Sequence, residues 1–234
     1  MNNKSPKLKI VFEDNHILII DKPIGMLSHP DVKLKEIDIL TELKKTKNDA
    51  LNYAVINRLD FNTSGLVVVG KHLSVIKELN KLSIDKKIQK TYLCGVTGYF
   101  FSPSEILEAY LLKDTTQSKV RISEVEVPNS QKIMTKYNVL QEIGNMSLLE
   151  IELLTGKTHQ IRAHLSHAGH PLLGDPLYGF ASVNKKIGLK TQALCAYRLH
   201  FHSIEESSVL HYLNNKDFKS TNIPFIHLFP NFKK

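Results

Sequence analysis

The chain has 234 residues, 42% apolar and 23% charged, which suffices for a sizeable buried core and excludes an intrinsically disordered chain. Its formal net charge of +8 points to a polyanion held by phosphate contacts, with an anionic membrane surface as the competing partner and a solvated basic face as the ordinary alternative. Cys94 and Cys195 lie far apart and make no Cys-x-x-Cys pair, which excludes a disulfide framework and suits a reducing compartment. The segment Met1–Lys9 is polar and basic with no apolar run behind it, and no stretch approaches the ~20 apolar residues of a membrane span, so a soluble cytoplasmic protein is expected.

Residues 8–13 alternate like a strand, Asp14-Asn15-His16 is a turn signal, and residues 17–21 read as a second, more buried strand completing a hairpin. Pro23, Gly25 and Pro30 then stop regular structure. The Lys-rich stretch from Asp31 to Asn57 predicts one helix over about 36–45, from Ile37, Ile39, Leu40 and Leu43, and a short one over about 50–55, from Leu51, Ala54 and Val55. Residues 66–70 read as a buried strand, 72–82 as an amphipathic helix carrying Leu73, Ile76, Leu79 and Leu82, and 91–96 as a strand. Residues 99–130 resist assignment beyond a strand-and-loop excursion with a strand at 119–125. Strands at 135–140 and 146–153 flank a Gly144-Asn145 turn, a helix covers 159–168 with Gly169 suited to end it and Pro171 barring continuation, and the last strand lies between 192 and 201. These elements predict an α+β fold on a large mixed, mostly antiparallel sheet flanked by helices.

Two stretches carry chemistry. The first, Asn57-Arg58-Leu59-Asp60-Phe61-Asn62-Thr63-Ser64-Gly65-Leu66, sets an Asp between an Arg and a Thr-Ser-Gly turn at the mouth of the strand 66–70; taken alone, the Arg-x-Asp pair is a surface ion pair or a turn-capping carboxylate. Ser64 as a nucleophile lacks a Gly-x-Ser-x-Gly elbow. The second, from Thr155 to Pro171, admits three readings. Gly156-Lys157-Thr158 before a helix suggests a P-loop, but the Gly required five residues earlier is Ile151. His159, His164, His167 and His170 suggest a metal, yet there is no His-Glu-x-x-His pair and no nearby Cys. The third is an anion site at a helix N-terminus, with Lys157 and Thr158 near phosphate and Arg162 one turn on in reach of a carboxylate.

The string Arg58-Leu59-Asp60-x-x-Thr63-Ser64-Gly65-Leu66 closely resembles the active-site signature of the RluA-type RNA pseudouridine synthases; members often carry His where this chain has Asn57. The segment Glu13-Asp14 through Lys22-Pro23, Gly25 and His29-Pro30 is similar to the family's first motif, which helps shape the wall of the substrate cleft. Lys90-x-Tyr92, Gly156-Lys157-Thr158-His159-Gln160-Ile161-Arg162-x-His164, Pro171–Gly179 and Arg198 match further family positions, with Lys157 in place of a frequent Arg. The likeness covers about residues 10–201.

The resemblance implies a single catalytic domain over 1–234 with a cleft across the sheet, and no amino-terminal S4-type module before Leu8. It implies Asp60 as catalytic carboxylate, Tyr92 stacked on the target base and Arg162 paired with the Asp, while Asn57, Arg58, Thr63, Lys90, Lys157, Thr158, His159, Gln160 and His164 face the RNA. The implied reaction converts uridine to pseudouridine in structured ribosomal or transfer RNA. Being an isomerisation, it calls for no cofactor and no metal, and a monomer without an obligate protein partner is expected. The alternative from another class is a catalytically silent RNA-binding protein using the same basic cleft, with a metal hydrolase built on the histidines as a third. For Pro171–Gly179 the residues themselves suggest a chain reversal with Tyr178 packed beneath it.

Overall fold

The computed structural model of the chain describes residues 8–31, 36–47, 52–114 and 119–233. In chain order these form β1 (Lys9–Glu13), β2 (Ile17–Lys22), α1 (Ile39–Lys47), β3 (Ala54–Val55), β4 (Ser64–Gly70), α2 (Leu73–Ile84), β5 (Ile88–Thr97), β6 (Ser104–Asp114) and β7 (Lys119–Ser123). There follow β8 (Gln131–Ile143), β9 (Met146–Leu153), α3 (Gln160–His167), α4 (Ala181–Ile187), β10 (Leu194–Phe201) and β11 (Asp217–Lys219). The mixed, mostly antiparallel α+β architecture expected from the sequence is what forms. No helix among the described residues is long and apolar enough to cross a membrane.

The chain divides into two compact units. The first comprises Met1–Lys90 and Cys195–Ile223. Its strands run β1-β2-β4-β10, with β3 on β4 and β11 on β10. Every residue of β2 and β4 is buried, which is why these runs lack polar alternation: both faces are covered. β2 pairs antiparallel with β4 along its length, from Ile17 opposite Gly70 to Lys22 opposite Gly65. The other edge of β4 is shared by β10, parallel at Ser64 and Gly65, and by β3, antiparallel at Val69 and Gly70. Val75, Leu79 and Leu82 of α2 pack with Ile17, Ile19, Leu66, Val68 and Phe201 into the core of this unit. Of the predicted face only Leu79 and Leu82 enter the core; Leu73, at the first turn, is exposed, Ile76 is half-buried, and Val75 takes the inward position, because the face turned to the sheet is offset from a strict spacing of three.

Two sequence expectations change here. The helix predicted over 36–45 starts at Ile39, because the Asp38 carboxylate caps it, accepting from the Thr41 backbone N–H at 3.0 Å and the Thr41 hydroxyl at 2.6 Å. The short helix predicted over 50–55 is not formed in its described part: residues 50 and 51 lie outside the described residues, and Ala54–Val55 is strand β3. Pairing with the exposed edge of β4 outweighs the weak helical spacing of three apolar residues.

The second unit comprises Thr91–Leu194 and Pro224–Lys234. Its strands run β5-β9-β8-β6-β7, all antiparallel. The unassigned stretch 99–130 holds the 11-residue strand β6 beside β7. Strand β8 has 13 residues and a register shift between Val139 and Gln141, so the predicted strand at 135–140 is only its middle. Helix α3 lays Ala163 on Ala109, Leu111, Val120 and Ile133 of this sheet. Its C-terminus is a Schellman turn: the N–H of Gly169 bonds to the Ser166 carbonyl at 3.1 Å and that of His170 to the Leu165 carbonyl at 2.8 Å, with Gly169 at φ 89° as the sequence anticipates.

Candidate active site

In the first unit, Asp60 opens a turn closed by the Thr63 N–H bonding to its carbonyl at 3.0 Å, and the chain then enters β4 directly. The loop after β2 clamps both neighbours of Asp60. The Ser28 hydroxyl donates to the Leu59 carbonyl and accepts from the Leu59 N–H, each at 2.9 Å. On the other side, the Phe61 carbonyl accepts from the Gly25 N–H at 3.0 Å and from the Lys22 ammonium at 3.2 Å. Lys22 also donates to the carbonyls of Met26 at 2.8 Å and Pro23 at 3.0 Å. A fully buried ammonium is tolerable here because three carbonyls surround it. Burial pulls its pKa down to about 7, and the negative charge of Asp60 opposes that shift.

Sequence reasoning missed Lys22 and Ser28 as residues acting on Asp60. The signal for Lys22 was present: it is a lysine at the end of a buried strand, where a charge must find partners.

Asn57 lies inside the protein, 7% exposed, rather than on the RNA-facing surface expected for it. Its amide donates to the Leu66 carbonyl at 3.0 Å and its oxygen accepts from the Val68 N–H at 2.8 Å. It therefore continues the ladder along the β4 edge between β3 and β10, doing with a side chain what another strand would do with backbone. Thr63 is buried, Asp60 half-buried and Arg58 exposed. His29 is half-buried with its pKa lowered, first by burial and then by Arg58, against the pull of Asp38. Lys90 reaches the Ser83 hydroxyl at 2.9 Å, and burial lowers its pKa.

In the second unit, Tyr92 sits on β5 opposite Ile151 of β9, 7% exposed. Arg162, on the first turn of α3, is 6% exposed and makes a two-pronged ion pair with Asp175: Nε to Oδ2 at 2.7 Å and an Nη2 bond to Oδ1 at 3.0 Å. Asp175 is wholly buried and also accepts from the N–H groups of Leu177 at 2.8 Å and Tyr178 at 3.1 Å. The Arg162 guanidinium lies 5.2 Å from the centre of the Tyr178 ring, while the Tyr178 hydroxyl accepts from the Val120 N–H and is hydrogen-bonded to His159. Tyr178 thus packs beneath the reversal 171–179, as its residues suggested.

The rest of the predicted set divides by depth. Lys157 and Thr158 are exposed, and His159 is half-buried in the left-handed conformation at φ 55° ahead of α3. Gln160 and His164, expected to face RNA, are each 2% exposed. Gln160 donates to the Met134 carbonyl and the Thr135 hydroxyl and accepts from Thr155 and the Lys157 N–H. The Thr135 hydroxyl, which accepts from Gln160, is also hydrogen-bonded to the His164 ring nitrogen 2.9 Å away. Burial holds His164 neutral, with its pKa lowered to about 4. The four histidines go separate ways: His167 to Glu124, and His170 to the Thr97 carbonyl with its ring stacked on Phe100. Among the described residues no three His, Cys, Asp or Glu form a group that could hold a metal ion.

The family described as RNA pseudouridylate synthase matches residues 16–167, from the end of the first hairpin turn to the end of α3. A curated RNA pseudouridine synthase of Mycoplasma genitalium is 35% identical over 232 residues, covering 94% of this chain and 72% of that protein. Ribosomal large subunit pseudouridine synthase C of Vibrio parahaemolyticus is 31% identical over 204 residues, covering 85% of this chain and 63% of its own length. Among solved structures, human RNA Pseudouridylate Synthase Domain Containing 1 shares the fold with a TM-score of 0.76 at 20% identity, covering 97% of this chain and 89% of that one. By its sequence and fold, the chain belongs to the RNA pseudouridylate synthase family.

Proposed function

We propose that the protein isomerises uridine to pseudouridine in large-subunit ribosomal RNA, working as one catalytic domain with Asp60 as its catalytic carboxylate. The observation that carries the assignment is the clamp on Asp60. Ser28 fixes the residue before it and Lys22 and Gly25 fix the residue after it, so the backbone that bears the carboxylate has little freedom to move. Ribosomal RNA is supported by the names of the related proteins and by the chain's net positive charge.

In this reading the target uridine is extruded and stacks on Tyr92. Asp60, ionised, either attacks C1′ of the ribose or removes the C2′ proton; both routes release the base by breaking the N1–C1′ bond. The base turns and C5 bonds to C1′ as the Asp60 ester bond breaks on the first route, or as the proton held by Asp60 returns to C2′ on the second; the proton lost from C5 is matched by the one gained at N1, so atoms balance without oxidant or energy input. A cation near the carboxylate favours its ionised form, the role that the family resemblance gives to Arg162. Lys157, Thr158, His159 and Arg58 contact the RNA, whereas Gln160, His164, Asn57 and Thr63 hold the elements that present these groups, and Lys90 supports the start of β5.

The test is pseudouridine mapping at single-nucleotide resolution in cells lacking the gene, rescued with wild type or Asp60→Ala. One or more large-subunit rRNA uridines should lose modification on deletion and regain it only with wild type. Recovery with Asp60→Ala would remove the catalytic role and leave an RNA-binding protein. A site found only in transfer RNA would overturn the substrate assignment.

A further inference from the structure

Helix α4 has an unusual standing in the second unit: none of its seven residues is buried. A helix this short does not persist in water on its own, and its apolar face is thin, with Val183 and Ile187 only half-buried. It is held by polar contacts. The Asn184 side chain accepts from the Gly174 N–H at 2.8 Å and donates to the Asp175 carbonyl at 2.9 Å, and Gly188, at φ 72°, ends the helix with its N–H on the Asn184 carbonyl. Packing therefore does not dictate what the exposed positions carry.

They carry lysine. From Pro176 to Gln192 there is no acidic residue, and Lys185, Lys186 and Lys190 are all exposed. None of the three forms an ion pair among the described residues; single exposed lysines elsewhere are also unpaired, but here three lie within six residues. Lys185 and Lys186 also suit the negative end of their own helix, a local benefit of a few tenths of a kcal/mol. Lys190 lies beyond the helix and has no such reason to be there.

We propose that α4 and Lys190 form a contact surface for the phosphate backbone of the RNA substrate. Three unpaired cations within six residues match a polyanion in charge and need no base-specific geometry. The Asn184 tether joins this surface to the loop whose Asp175 holds Arg162, so RNA seated on α4 is seated on the same loop that positions that arginine. The inference rests on the reading that the substrate is RNA.

The test uses the full chain with Lys185, Lys186 and Lys190 all changed to Gln, and a control with Lys77, Lys81 and Lys216 changed to Gln, which removes the same charge from other exposed positions. Binding to a large-subunit rRNA transcript is measured across a salt series, and pseudouridine formation is measured at saturating RNA. The α4 variant should bind at least about tenfold more weakly near 0.1 M salt, and the slope of log affinity against log salt should shrink by about 2 to 3, at roughly 0.7–0.9 for each phosphate no longer neutralised. The control should change far less, and the rate at saturating RNA should stay within about twofold of wild type. An unchanged slope, or an equal weakening in the control, would overturn the proposal. Lys190→Gln alone, which touches no helix, should reproduce roughly a third of the slope change should the triple variant fold poorly. Wild type that binds the transcript but forms no pseudouridine would count against the catalytic reading and leave the α4 result interpretable.

Discussion

Protonating His164 would place a charge where water barely reaches, on a buried ring held against the Thr135 hydroxyl. Its pKa is about 4 in the folded chain against 6.5 when unfolded, so between those values the unfolded state binds more protons. Stability linked to this residue is therefore complete above pH 6.5 and is lost as pH falls toward 4, by at most about 3 kcal/mol. Urea unfolding of wild type and His164→Asn at about pH 7.5 and about pH 5 checks this: the variant should be less stable at the higher pH, yet lose less than wild type on acidification. Lys22 obeys the same physics at higher pH. Its lowered pKa means the unfolded chain holds more protons from about pH 7 to 10.5, so its contribution to stability rises with pH across that window. The burial of His164 could not be read from a motif that gives only residue type and spacing, whereas that of Lys22 was signalled by the buried strand it closes.

At the scale of elements, the reversal after α3 explains how one arginine is aimed. The strand-loop-helix unit, its terminating glycine and the packing of Tyr178 follow from local signals, and all three are observed. The partnership of Arg162 with Asp175 is not local: it spans 13 residues and depends on how Gly174, Asn184 and the backbone of 175–178 fold around a carboxylate. Asp175→Asn keeps the shape but removes the charge opposite Arg162, and is expected to lower the rate of pseudouridine formation at saturating RNA by tenfold or more, about 1.4 kcal/mol or above. Asn184→Ala should slow the reaction less, with RNA affinity within about threefold of wild type. Single-turnover rates alongside binding measurements separate the two, and a fall in affinity alone would show that the loop does not act through Arg162.

At the scale of the whole molecule, the first unit depends on the close approach of strands far apart in the chain. At Gly65, φ is 113° and an added Cβ would stand 2.3 Å from the Ala196 carbonyl oxygen of β10. Gly65→Ala should cost about 3 kcal/mol or more, combining a forbidden backbone conformation with a clash against backbone that cannot yield; a lowered unfolding midpoint in urea is the check. Much of the architecture needed no such knowledge. Fully apolar runs at 17–20 and 66–69, glycine and proline at turns and the threefold spacing of α2 act over a few residues, so the sequence by itself determined the α+β class, most element positions, the turn bearing Asp60 and the family. What only the tertiary structure decided was where distant backbone groups meet: β3 instead of a helix, β6 in the unassigned stretch, Asn57 completing the edge of β4, Lys22 buried among carbonyls beside Asp60, and Arg162 held by Asp175. Each depends on hydrogen-bond partners supplied by another part of the chain, and a buried polar group takes the partner that folding brings to it, which its neighbours in sequence do not specify.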